Sequence, residues 1–70
     1  MRYLIIIEET RTGFSAYSPD LPGCVSTGPS EASVVTNMRE AIEFHIEGLK
    51  ADGLPVPTPT SRSSYVEVAA

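Results

Sequence analysis

Apolar positions along the chain fall into three different rhythms. Tyr3 to Ile7 is an unbroken apolar run, too short for a helix before the polar stretch Glu8–Thr12, and it reads as a strand buried on both faces. Thr10 to Gly13 supplies a turn, with Gly13 free to take a positive φ. From Phe14 the pattern alternates, with Phe14 and Ala16 on one side and Ser15 and Tyr17 on the other. These two runs predict an antiparallel hairpin, followed after a corner by a short third strand rich in β-branched residues. The rhythm then changes to steps of three and four: Ala32, Val35, Met38, Ile42, Ile46 and Leu49 make one stripe of an amphipathic helix. Ser30 is its expected N-cap, Glu31 favours the positive end of its dipole, and Gly53 is its expected left-handed stop. Prolines at 55, 57 and 59 then rule out helix and interior strand, and Tyr65, Val66 and Val68 suggest a last short strand.

The expected boundaries are strands at about 2–8, 13–18, 24–27 and 64–68, a helix at about 31–52 and a Pro-rich connector at 54–60, in one domain spanning 1–70. One helix laying its stripe on one face of a mainly antiparallel sheet gives a two-layer α+β fold in the order β-β-β-α-β. The crossover from the helix places the last strand beside the first. Phe44 stands nearly opposite the helix stripe, as a residue packed under a loop or at an interface.

Length changes what this fold can do alone. A chain of 70 residues buries only about 60% of the surface its unfolded form exposes. Cys24 is the only cysteine and His45 the only histidine, so neither a disulfide nor a metal is expected to staple it, and no cofactor is expected. A homo-oligomer, a dimer or higher, is the remaining common solution. The formal charge of −4 and the scattered arginines argue against nucleic-acid binding by the chain alone and suit a basic partner. The apolar run at the N-terminus is too short for a secretory leader and nothing approaches a membrane span, which leads to a cytoplasmic expectation.

Candidate chemistry is sparse. Cys24 needs a base to act as a nucleophile, and His45, on the flank of the helix stripe, is not clearly aimed at it; Cys24 reads as a small buried residue. Glu8 and Glu9 are adjacent and on a strand point to opposite faces, so they cannot form a metal-binding pair. No catalytic or metal-binding residues are therefore expected, and the chain is read as a non-enzyme. In the corner "SPDLPGC", Pro19 and Pro22 fix φ, Asp20 can cap the turn, Gly23 permits a sharp bend and Cys24 starts the next strand. Leu21 is expected either in the core or displayed at the tip.

The Pro19-Asp20-Leu21-Pro22-Gly23-Cys24 turn, the helix residues Asn37, Glu40, Ala41 and Ile42, and the following Gly53, Pro55, Pro57 and Pro59 occur in the order found in HicB antitoxins, and the chain resembles that family over nearly its whole length. The resemblance implies a partial RNase H-like fold. It also implies an antitoxin role in a toxin–antitoxin system: protein–protein interaction with a small basic ribonuclease toxin of the HicA kind, whose active site is covered. Many members carry a further C-terminal DNA-binding module. The present sequence ends at Ala70 after the last expected strand, so direct DNA contact by this chain is not expected. Rim position and residue type nominate Glu8, Glu9, Tyr17, Asp20, Leu21 and Phe44 as partner contacts. The alternative is a stand-alone oligomeric module that binds a protein or small ligand without a toxin.

Overall fold

A computed structural model describes all residues from Met1 to Ala70. Its elements are β1 (Ile6–Glu9), β2 (Phe14–Tyr17), β3 (Val25–Gly28) and α1 (Glu31–Ala51). The strands form an open antiparallel sheet in the order β1-β2-β3, giving the expected α+β architecture with one helix on one face.

The register decides which side chains meet the helix. Ile7 pairs with Ala16 and Ala16 with Ser26, so this row and the residues two away from it face α1. Ala16, Leu21, Cys24, Val34 and Met38 form the core, with Tyr3, Ile5, Ile7, Phe14, Ala41 and Ile42 packed around it. Only six of the 70 residues are buried, so each one carries a large share of the packing. The other sheet face has no second layer. Leu4 and Ile6 are half-buried there, which corrects the expectation of a first strand buried on both faces.

β1 is shorter than the expected 2–8 because its partner runs out. Ile6 pairs with Tyr17, and one residue later the chain turns into the Ser18–Cys24 corner, leaving residues 2–5 nothing to pair with. Within the corner, the amide of Leu21 donates to Ser18 O (3.1 Å), that of Cys24 to Leu21 O (3.1 Å) and that of Ser18 to Cys24 O (3.3 Å). The buried Ser18 hydroxyl donates to Leu4 O at 2.9 Å, binding the corner to the chain ahead of β1. Gly23 takes φ 82°, as a turn this sharp demands.

Gly13 has a different role from the one expected. Its φ is not positive; a Cβ there would lie 2.5 Å from Gly28 O, so glycine is needed for close approach across the sheet. Gly28 is also pressed against the start of α1, where a Cβ would lie 2.5 Å from Ser33 Oγ and 2.9 Å from Val34 N. That helix start is tightly made: Ser30 Oγ accepts from Ser33 N, and Ser33 Oγ accepts from Ser30 N, a reciprocal cap. At the other end Gly53, φ 69°, donates to Lys50 O and Leu54 to Leu49 O, which closes the last turn in the left-handed manner expected.

The buried helix line is rotated from the predicted stripe. Val34 and Met38 are fully buried, whereas Val35 is 36% exposed and Ala32 is exposed. The reason is lateral: α1 lies over β3 and β2, so the Val35–Ile42–Ile46 flank overhangs β1 and lines an open groove with Tyr3 and Ile5.

The expected strand at 64–68 is absent. Residues 54–70 have no regular secondary structure, and no backbone–backbone hydrogen bond involves residues 61–70. The connector is nevertheless held: Tyr3 OH donates to Pro57 O at 2.6 Å. A strand-like composition forms a strand only where a partner's ladder is in reach, and nothing pairs with β1 on its outer side.

Two glycines give opposite expected effects in urea denaturation. Gly28→Ala drives a methyl into helix backbone and should cost about 1–3 kcal/mol. Gly48→Ala, inside α1 with open space around it, should stabilise by about 0.5–1 kcal/mol.

Candidate functional site: an uncovered sheet face and its two edges

The bare face of the sheet carries an ordered surface. Ile6 pairs with Tyr17 and Tyr17 with Val25, so these three side chains form one cross-strand row; Glu8, Ser15 and Thr27 form the next. An apolar row thus lies beside a polar one. Tyr17 and Val25 are 41% and 66% exposed, more than a single-chain core would leave them. At the β3 edge the apolar surface turns the corner into a shallow cleft bounded by Val25, Phe44 and Leu49, with Phe44 79% exposed on the helix. Sequence reasoning nominated Tyr17 and Phe44 but missed Ile6 and Val25, which become legible only once the register joins them to Tyr17.

The other nominated residues fall elsewhere. Glu8 lies on the bare face, and Glu9 is exposed at the end of β1 on the opposite face. Leu21 is fully buried, so of its two expected placements the core one holds and its side chain cannot touch a partner. Asp20 does not cap its own turn. Its carboxylate accepts from the amides of Thr60 (3.2 Å) and Ser61 (3.1 Å) and from both their hydroxyls (3.1 and 2.9 Å). This clamp pins the end of the Pro-rich connector onto the corner. These hydrogen bonds, the Ser61 amide first, hold the Asp20 carboxyl below its ordinary 3.8 against a smaller opposing effect of desolvation. A link across 40 residues leaves no periodic trace in the sequence.

Cys24, His45 and Asp52 line the same shallow cleft as Phe44. They are not joined: no hydrogen bond links any two of them, and the Asp52 amide caps α1. Cys24 is 4% exposed, and burial pushes its thiol up from 9.0, the opposite of what an attacking thiolate requires. No group of three or more His, Cys, Asp or Glu residues is placed to hold a metal ion. No helix is long and apolar enough to cross a membrane. Asn37 is also structural, its amide donating to Thr27 O at 2.9 Å and fixing α1 to β3.

A corner packed by its leucine, a helix over two strands and a bare sheet face make a small α+β domain with no catalytic or metal-binding cluster assembled in it. Comparison with known proteins assigns it. Residues 3–69 match the HicB-like antitoxins of bacterial toxin–antitoxin systems. The fold is similar to a chain of a HicA3–HicB3 toxin–antitoxin complex, with TM-score 0.75 and 40% identity, covering 86% of this chain and 70% of that one. A 14.9 kDa protein from the rep-hol intergenic region of Haemophilus phage HP1 is 38% identical over 94% of this chain and 50% of its own length. A UPF0150 protein of Helicobacter pylori is 43% identical over 70% of this chain and 68% of its own. The chain belongs to the HicB-like antitoxin family, and it spans about half the length of the phage relative.

Two measurements check this geometry. Because folding lowers the Asp20 pKa, the clamp's contribution is complete above 3.8 and is lost as pH falls through the lower folded value. The Thr60 and Ser61 amide resonances should therefore move together with a midpoint below 3.8, and Asp20→Asn should abolish the transition. Cys24 should react with a maleimide at neutral pH at least about a hundredfold more slowly in the folded protein than in urea.

Proposed function

We propose that this chain neutralises a small basic ribonuclease toxin of the HicA kind by docking the bare sheet face, and the β3 edge that continues it, over the toxin's active site. The observation that carries this reading is the cross-strand row Ile6–Tyr17–Val25, apolar and without a covering layer, extended around the edge by Phe44. Family membership supplies the class of partner. Exposed aromatics are the side chains that most often anchor such interfaces, since they bury much area at low entropic cost.

Charge supplies steering. The chain carries −4, and Glu8 sits in the row beside the apolar one, where it meets a basic surface early in the encounter. Glu9 contributes at the rim. Asp20 and Leu21 act from within, by fixing the corner that sets where Tyr17 ends and Val25 begins. Inhibition of this kind needs no reactive group on the antitoxin; occlusion of the toxin's cleft is enough.

The test pairs this chain with a small basic toxin of the HicA kind, by titration calorimetry and an RNA-cleavage assay. Tyr17→Ala and Phe44→Ala should each weaken binding by about 2 kcal/mol, roughly thirtyfold, with unchanged circular dichroism because both side chains are exposed. Glu8→Lys should slow association and flatten its salt dependence while changing dissociation little. Full affinity in both aromatic variants would move the interface elsewhere.

A further inference from the structure

We infer that the open groove between α1 and the chain ahead of β1 binds an acidic amphipathic helix of a partner protein. The inference does not rest on the toxin reading. It concerns the helix side of the sheet, and a basic toxin carries the wrong charge for it.

The groove exists because one helix is too narrow for this sheet. α1 packs on β3 and β2, so the helix side of Tyr3 and Ile5 is walled on one flank only. That wall is the overhanging line Val35, Ile42 and Ile46. Ile5, Ile42 and Ile46 are half-buried and Val35 is exposed, which leaves an apolar trough open to water. At about 610 Å³ it is the largest cleft on the molecule.

Two features select the occupant. The floor and wall present side chains, because the hydrogen-bonding groups of a sheet lie in its plane and those of α1 are used along its axis. The occupant must therefore satisfy its own backbone, as a helix does and a lone strand does not. A helix laid beside α1 at the usual spacing of about 8–10 Å completes the second layer. The rim then sets the charge. Arg39 and Lys50 border the groove on α1 and Arg2 borders it on the strand side, three of the chain's five Lys and Arg residues, whereas Glu43 is the only one of its nine Asp and Glu residues there. All three cations are exposed, and none donates a hydrogen bond within the chain. A chain of net charge −4 thus gathers most of its positive charge around its largest apolar trough.

The spacing of the rim is specific. Arg39 and Lys50 are three turns apart, about 16 Å along α1. A partner helix running alongside meets both with carboxylates three turns apart on one margin of its apolar stripe, and meets Arg2 with a carboxylate on the other margin. Glu43 lies between the two cations, so the occupant carries a neutral or basic residue opposite it; this repulsive element fixes the register. Apolar burial supplies the affinity, and the charges choose and orient the partner.

The probe is a fluorescein-labelled, lactam-stapled helix of about 18 residues, with leucine at every third or fourth position and glutamate on both margins of that stripe. It is titrated with the full chain and followed by fluorescence anisotropy. A Kd of about 10–100 μM is expected, and the same helix with lysine in place of glutamate should bind at least about tenfold more weakly. Arg39→Glu combined with Lys50→Glu should invert that order, so that the lysine helix binds the variant better. Both side chains are exposed, so the circular dichroism should not change. Amide chemical shifts should move at Val35, Ile42 and Ile46 and stay in place at Tyr17 and Val25. No binding at about 500 μM, equal affinity for the two helices, or shifts confined to the bare sheet face would each overturn the inference. So would groove resonances that already move with protein concentration alone, since they would assign the groove to a second copy of the chain.

Discussion

Leu21 is the side chain on which the remainder of this small domain depends. It is fully buried, it comes from a turn instead of a strand or helix, and it fills the core shared with Ala16, Cys24, Val34 and Met38. The corner around it has to be stiff enough to hold an inward-pointing leucine. Pro19 and Pro22 restrict φ on either side, Gly23 takes the left-handed bend, and three backbone hydrogen bonds close the loop. The same corner sets the ends of β2 and β3, so it fixes the Tyr17–Val25 pair and with it the position of the bare face.

Around that centre, polar contacts take over tasks that a larger core would perform. Ser18 ties the corner to Leu4, Asn37 ties the helix to β3, and Asp20 ties the connector to the corner. Each joins parts of the chain distant in sequence, and each satisfies groups that would otherwise compete for water. No buried side-chain nitrogen or oxygen is left without a partner. The helix is close enough to the sheet for this because Gly28 presents no side chain to its first turn.

The sheet offers three separable surfaces. One face is filled by α1. The opposite face carries the Ile6–Tyr17–Val25 row and continues around β3 to Phe44. The β1 edge faces an open cleft and an unpaired segment. The bare face and the β1 edge present different atoms.

Much of the fold was determined by local sequence. The hairpin, the third strand, the helix from its Ser30 cap to its Gly53 stop, and the Pro-Asp-Leu-Pro-Gly-Cys corner follow from short-range rules of capping, turn chemistry and periodicity, which act within a few residues. Tertiary structure decided what depends on a partner far along the chain. Val34 instead of Val35 turned inward because α1 settled over β2 and β3. Asp20 reached Thr60 and Ser61 instead of its own turn. Residues 64–68, strand-like by composition, stayed unpaired because a strand needs an edge in hydrogen-bonding reach and composition cannot supply one. Ile6 and Val25 joined Tyr17 only through register, a property of two strands together that neither encodes alone.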